Sequence, residues 1–328
     1  MKRLAIRKFN IILLIGVLFL GTSCAPLNHS QTSNSFSTIN SGLYIGKWYA
    51  FTGVTDIDDV HINIPFVLVS PRANKKNSAS NILFNLSNYS YTLNEFKLKT
   101  ENGIIIHPIN IKWIKGNKIH RFTLYTLNLT FSHLLPKRYL FTSLYLPIDK
   151  KEYICPIKWV VDVYKQNMLN NCVTITGETT LSGSILTGMS FVARNNCKSP
   201  IILDNVLFKL QGLNLSGKLF VTNQHSFDKG TNNPLPESPK SSISSTQKFC
   251  NTINPNDQRL VEVKIENASN VPPFIAIKPL LIYHKKGDTE KFFTEFYSPI
   301  IFSMFPQSAN DVEDMFSKGD FIKLQCVD

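Results

Sequence analysis

Long apolar segments are rare in this sequence, and their absence limits how the chain can meet a membrane. The only apolar run of any length is Ile11–Leu20, which is interrupted by Gly16. It is about half as long as the roughly 20 residues that a membrane-spanning helix needs. We therefore expect no permanent transmembrane anchor, since no later stretch approaches that length.

Known catalytic and metal-binding patterns are also missing. The sequence has no Gly-x-Ser-x-Gly, His-Glu-x-x-His, P-loop or EF-hand pattern, and no Cys-x-x-Cys spacing. Its seven histidines are scattered, without a metal-ligand spacing between any two. These absences favour a non-enzymatic protein that uses no cofactor. A calcium candidate is the acidic turn with Asp56, Asp58 and Asp59, because carboxylate oxygens are the hard ligands that calcium prefers.

The N-terminus has the pattern of a secretory signal peptide. Four basic residues precede the apolar run, and the small residues Gly21–Ser23 follow it. Small residues directly before Cys24 resemble the lipobox of bacterial lipoprotein precursors, although Gly21 stands where that family usually has leucine. The resemblance implies that residues 1–23 are removed and that Cys24 receives acyl chains such as palmitate. In enterobacterial lipoproteins an aspartate after the cysteine causes retention at the inner membrane, so Ala25 implies the outer membrane.

Residues 24–41 are predicted to be a flexible tether. They are rich in Ser, Thr, Asn and Gln, so they cannot bury enough apolar surface to fold. We expect the folded body to begin at Gly42. Two or more acyl chains on Cys24 would hold that body stably at the bilayer.

Acidic residues are scarcer than basic ones, with 23 against 35 and a net charge of +12. Residues 24–165 hold 16 basic and 8 acidic residues, whereas residues 166–328 hold 15 of each. Basic segments such as Lys115–Arg121, which we interpret as loop tips, would be attracted to an anionic membrane surface. Nucleic acid is not an expected partner, because an exported chain rarely meets it.

The body has the pattern of a mainly β protein. Short apolar or alternating runs, such as Ile104–Ile114 and Arg259–Asn267, recur about every ten residues between Asn, Pro, Gly and Lys clusters. Arg, Pro and Tyr residues occur in the same order and at similar spacings in the two halves, which indicates a duplication. The sequence therefore predicts two tandem immunoglobulin-like antiparallel β-sandwich domains, a basic one at 42–165 and a second at 166–328.

Two further features are predicted in the second domain. Residues 223–248 contain few apolar side chains, which is typical of a long loop. A short helix is expected over 310–318, with Asn310 as its N-cap and Gly319 at its end. A final strand, Phe321–Val327, would then cover a sheet edge.

The cysteines allow disulfides in an exported protein. Five remain beyond Cys24, so at least one is free or pairs with another chain. Cys197 and Cys250 lie at loop-like strand ends and are the first expected bridge. The second expected bridge joins Cys172 to Cys326, and spacing alone does not fix the connectivity.

The leading hypothesis is a membrane-anchored lipoprotein of the bacterial cell envelope that binds envelope or secretion-system proteins. Protein–protein interaction by strand addition at a sheet edge is the expected mode. One alternative is a carbohydrate- or ligand-binding module or adhesin that stacks its ligand on Trp48, Trp113 or Trp159, although these side chains are expected to fill the core. Another is an envelope-glycan hydrolase with a dispersed carboxylate pair.

Overall fold

The computed structural model describes most of the chain from residue 39 onward. The described ranges are 39–71, 92–148, 151–166, 172–182, 186–213, 216–221, 251–266, 272–297, 299–303 and 306–327. Cys24, the signal peptide, loop 223–248 and Cys250 lie outside the described residues. Residues 39–328 form one compact unit. Among the described residues, no helix has the length and apolar character needed to cross a bilayer.

The described strands form four sheets, which are numbered I to IV here. The strands of each sheet are given in their order across that sheet. Sheet I contains β20 (Phe321–Lys323), β1 (Gly42–Gly46), β3 (Val60–Val69), β7 (Phe122–Phe131) and β6 (Asn110–Ile119). Sheet II contains β19 (Ile300–Ser303), β16 (Phe274–Lys278), β2 (Trp48–Thr55), β9 (Lys151–Tyr164), β8 (Arg138–Ile148), β4 (Lys97–Thr100) and β5 (Ile105–Ile106), and β21 (Gln325–Val327) pairs with β9. Sheet III contains β10 (Val173–Ser182), β11 (Leu186–Asn195), β15 (Gln258–Glu266) and β13 (Ser216–Val221). Sheet IV contains β14 (Thr252–Ile253), β12 (Ile201–Leu207), β17 (Leu280–Lys285) and β18 (Phe292–Glu295).

The predicted fold class is confirmed, because the protein is mainly β, with several antiparallel sheets and one short C-terminal helix. Sheets I and II face each other, and the rings of Phe131 and Trp159 meet between them at 6.0 Å. Sheets III and IV share a second core that includes Met189 of β11 and Tyr283 of β17. These facing sheets are consistent with the predicted sandwich arrangement.

Sheet II contributes side chains to both cores. Trp48 and Trp159 pack together at 6.3 Å in the core shared with sheet I. Phe51 and Val160, which project to the opposite face, belong to the core formed with sheets III and IV. Strand β2 is therefore buried along almost its whole length, and it pairs in parallel with both β9 and β16. A strand covered on both faces is expected to be almost continuously apolar.

The predicted domain boundary at residue 165 is only partly reflected in the sheets. Sheets III and IV contain only strands after residue 165, but β16 and β19 of that half join sheet II beside β2. The two predicted domains therefore share a sheet and do not separate. Alternation of apolar residues indicates that a strand face is buried, but it does not indicate which distant strand lies beside it.

The C-terminal helix α1 spans Ala309–Ser317, one residue earlier than predicted. Its N-cap is Ser308, so the predicted N-cap at Asn310 is wrong. The Ser308 side chain accepts a hydrogen bond from the Asp311 N–H at 3.2 Å, and the Asp311 carboxylate accepts one from the Ser308 N–H at 2.8 Å. This reciprocal pair is a complete capping box, and it fixes the start of the helix two residues before Asn310.

Gly319 ends α1 as predicted, but the single predicted strand Phe321–Val327 is divided at Leu324 into β20 and β21, which join two different sheets. Gly319 has a left-handed backbone, with φ of 70°. Its N–H donates to Phe316 O, and the Asp320 N–H donates to Met315 O, which together form a Schellman motif. The chain continues as β20, which pairs with β1, and β21, which pairs with β9. The predicted cover of a sheet edge is thus confirmed.

Candidate functional site

A disulfide joins Cys172 to Cys197, whose Cα atoms are 4.8 Å apart. Both predicted bridges are therefore wrong, because Cys197 does not pair with Cys250 and Cys172 does not pair with Cys326. The physical reason is the register of the β10–β11 hairpin, which brings the residue before β10 next to the turn after β11. Register between strands is not visible in cysteine spacing, so the sequence left all the pairings open.

Two cysteines of the described residues are free. Cys155 is buried on β9, and burial raises the pKa of its thiol well above the ordinary value, which keeps it protonated and unreactive. Cys326 is exposed on β21. The expectation of at least one cysteine without an intramolecular bridge is confirmed.

The acidic turn between β2 and β3 does not gather a set of calcium ligands. Asp56 accepts a hydrogen bond from the backbone N–H of Gln166 at 2.9 Å. Asp59 lies 3.9 Å from Nδ1 of His133, and Asp58 faces a carboxyl group on another strand. Because the three carboxylates have different partners, they do not form the predicted calcium site. No group of three metal-ligating side chains occurs within the described ranges.

The Asp58 carboxyl accepts a hydrogen bond from the Thr55 hydroxyl and lies near the carboxyl group of Glu295 on β18. Glu295 Oε2 lies 2.9 Å from Nζ of Lys278, and both of these side chains are 15% exposed. Burial raises the pKa of Glu295, Lys278 opposes the rise, and the nearby Asp58 carboxyl adds to it. The other carboxyl oxygen of Glu295, Oε1, is buried without a hydrogen-bond partner. The Glu295 carboxyl is therefore held mainly by Lys278.

The three tryptophans lie in the protein interior, as expected. Trp48, Trp113 and Trp159 are 4%, 8% and 1% exposed, respectively. A carbohydrate ligand stacks on an accessible aromatic face, and none of these three rings offers one. The ligand-binding alternative therefore loses the residues on which it was based.

Strand β6 is a long edge strand of sheet I. It pairs with β7 along its length, with a β-bulge between Lys115 and Lys118. Its other side pairs with no strand of the described residues. Trp113 anchors β6, because its ring packs against Phe66 of β3 at 5.1 Å and Tyr125 of β7 at 6.3 Å. The strand therefore presents backbone N–H and C=O groups from a well-supported position.

The lysines of β6 lack acidic partners within the described part of the chain. Lys112, Lys115 and Lys118 are exposed and take part in none of the ion pairs found there. The five strands of sheet I contain no aspartate or glutamate at all. Ile114, which lies between these lysines, is 41% exposed. The open edge thus combines unpaired backbone groups, positive charge and some apolar surface.

The sequence prediction placed the end of this strand too early. Ile104–Ile114 was expected as the strand and Lys115–Arg121 as a basic loop tip, but β6 continues to Ile119 and only His120 and Arg121 form the turn. Lysine-rich segments are typical of loops, which explains the error. Lysines are also favoured on edge strands, where their charge limits unwanted pairing. The lysines of β6 were therefore the feature of the sequence that could have identified it as an edge strand.

No protein-family model and no curated protein matches this chain. It is similar to a protein of unknown function from Porphyromonas gingivalis W83, for which a crystal structure is known. The identity is 12%, the match covers 77% of this chain and 97% of the other, and the TM-score is 0.21. A likeness at this level carries no argument about function.

Proposed function

We propose that this protein is a lipoprotein of the bacterial cell envelope, anchored in the outer membrane by acyl chains on Cys24. It acts as a non-enzymatic interaction or assembly module for other envelope or secretion-system proteins. The observation that carries this proposal is the edge of β6, a strand of ten residues whose outer side is paired with no other described strand. Edge strands of this length are usually shortened or covered, because they recruit other strands.

The order of the segments supports the same role. The tether of residues 24–41 would reach roughly 20–25 Å from the bilayer, at about 5–6 Å × √n for a flexible chain. That reach lets the folded body turn relative to the membrane, so that an edge strand can meet a neighbouring envelope protein. The basic first half adds an attraction to anionic lipids of about 1 kcal/mol for each well-placed side chain.

The anchor is tested by metabolic labelling with a clickable palmitate. We expect the wild-type protein to be labelled and to sediment with membranes, whereas Cys24→Ala is unlabelled and soluble. Cys326→Ala is the matched control, because it removes an exposed free thiol and leaves Cys24 in place. Unchanged labelling of Cys24→Ala would contradict the anchor.

The interaction is tested by placing a photo-cross-linking amino acid at Ile114 in living cells. We expect a discrete cross-linked product from this edge position. The control position is Lys264, which is exposed on β15 but lies between two neighbouring strands in sheet III. The absence of a product at Ile114, or the same product from both positions, would contradict an interaction through the β6 edge.

A further inference from the structure

We propose that β6 accepts an extended acidic segment of another protein, which adds to sheet I as a further strand. This inference rests on the proposed function as an interaction module, and it specifies the chemistry of the partner. The partner's backbone would form a hydrogen-bonded ladder with the open side of β6. Its carboxylates would lie beside Lys112, Lys115 and Lys118.

The backbone argument comes from the way β6 is held. Its inner side is paired with β7, and Trp113 fixes it to the core through Phe66 and Tyr125. A strand that is already ordered needs little further ordering when a partner adds to it, so less conformational entropy is lost. The incoming segment must be extended, because only an extended chain matches the spacing of the ladder.

The charge argument comes from the sequence of the strand. Lysines occur at every third position, and no acidic side chain of sheet I neutralises them. Lys115 projects to the same face as Trp113, whereas Lys112 projects to the opposite face with Ile114, because side chains alternate along a strand. A segment with acids three residues apart would therefore place carboxylates beside Lys112 and Lys115 on the two faces, and the β-bulge brings Lys118 to the face of Lys115.

The same lysines argue against a second copy of this chain as the occupant. Pairing of β6 with another β6 would bring lysines close to lysines, and like charges in cross-strand positions are destabilising. The β-bulge between Lys115 and Lys118 further disturbs a regular pairing of two identical edges. The edge is thus protected against self-association, and within the described part of the chain it is open to a segment of opposite charge.

The experiment uses the full-length protein and a fluorescent peptide as long as β6, composed of Thr and Val with Glu at every third position. We expect binding by fluorescence anisotropy, and no binding of the same peptide with Lys in place of Glu. Hydrogen exchange should show new protection of the β6 amides when the Glu peptide is bound. The double variant Lys112→Glu/Lys118→Glu reverses the charge of the edge. Its affinity for the Glu peptide should be lower by about tenfold or more, and the Lys peptide should now bind.

The matched control is Lys198→Glu/Lys264→Glu, which makes the same change in net charge at exposed positions away from the β6 edge. It should bind the Glu peptide as the wild type does. A Glu peptide with proline at alternate positions cannot form the ladder and should not bind.

Several outcomes would overturn the proposal. Binding that is unchanged in the Lys112→Glu/Lys118→Glu variant, equal binding of the proline peptide, or an absence of protection in β6 would each do so. Dimerisation of the full chain through β6 would also overturn it. If cross-linking at Ile114 captures a protein but the Glu peptide does not bind, the acidic partner is wrong and the interaction module stands. If the peptide binds and no product forms in cells, the proposed function fails instead.

Discussion

Glu295 holds a carboxyl group where its negative charge is poorly solvated. Burial raises its pKa, the Lys278 ammonium offsets part of the rise, and the Asp58 carboxyl adds to it. The native protein therefore keeps this proton at pH values where the unfolded chain has released it. In that window the free energy of unfolding falls as the pH rises.

We predict a loss of stability between about pH 4.5, the ordinary value for glutamate, and the raised pKa of Glu295, with no further loss from this group above it. Asp58→Asn removes the like charge and supplies an amide donor, so the pKa of Glu295 should fall and the slope should become smaller. Urea unfolding at a series of pH values measures the slope. Asp59→Asn, in the same turn but beside His133, should leave it unchanged. An equal slope in wild type and Asp58→Asn would contradict the prediction.

Single residues were predictable from sequence where their own strand or helix decides their environment. Trp48 and Trp159 were expected in the core, and Gly319 was expected to end the helix, because alternation and helix-capping patterns are local. The meeting of Asp58 with Glu295 was not predictable, because the two residues belong to distant segments that only the fold brings together. The carboxyl pair is thus a product of sheet packing, with no local pattern to mark it.

The start of α1 is set by one side chain, and this gives a test at the level of an element. We predict that Ser308→Ala lowers the free energy of unfolding by about 1 kcal/mol, because the N-terminal N–H of Asp311 loses its acceptor. Asn310→Ala should have an effect close to zero, because Asn310 lies in the first turn and is exposed. Chemical denaturation compares the two variants. Equal losses in both would mean that Ser308 is not the effective cap.

The β10–β11 hairpin is closed by the disulfide between Cys172 and Cys197, which are 25 residues apart in sequence. We predict that a reducing agent lowers the free energy of unfolding of the wild type by about 3 kcal/mol, mainly because the unfolded chain becomes less constrained. The double variant Cys172→Ala/Cys197→Ala should be insensitive to the reducing agent, whereas Cys326→Ala should respond as the wild type does. Peptide mapping without reduction checks the pairing directly.

The positions of helices and strands along the chain were easier to predict than which strands pair with each other. The alternation of β15 and the C-terminal Gly319 of α1 are properties of short segments, so the sequence shows them, whereas Asn310 was mistaken for the N-cap that Ser308 supplies. The parallel pairing of β2 with β16 joins residues near 50 to residues near 276. No local pattern encodes such a pairing, because an apolar run in a buried strand is satisfied by any strand that covers it.

At the scale of the whole molecule, sheet II contains strands from both of the domains that were predicted from the sequence. Phe51 of β2 lies in the core of sheets III and IV, and Gly53 of the same strand lies directly against Leu280 of β17. A Cβ at position 53 would overlap the Leu280 side chain, so sheets II and IV approach closely at this point. A substitution that destabilises one core should therefore also destabilise the other.

We predict a single cooperative unfolding transition for residues 39–328. Phe66→Ala in sheet I and Met189→Ala in sheet III remove fully buried side chains, and each should cost about 2–5 kcal/mol. Both variants should move the same calorimetric transition to lower temperature. Two independent domains would instead give two transitions, with each variant shifting only one of them.

The pairing of Tyr44 in β1 with Lys323 in β20 joins nearly the two limits of the folded region. Because the chain emerges with its N-terminus first, β1 is available early, whereas its neighbour on that side follows about 270 residues later, so this non-local contact forms slowly. Until β20 is available, β1 lacks one of its two neighbours in sheet I. A chaperone that shields β1 until β20 arrives would therefore raise the yield of correctly folded protein more than one that acts on the finished polypeptide.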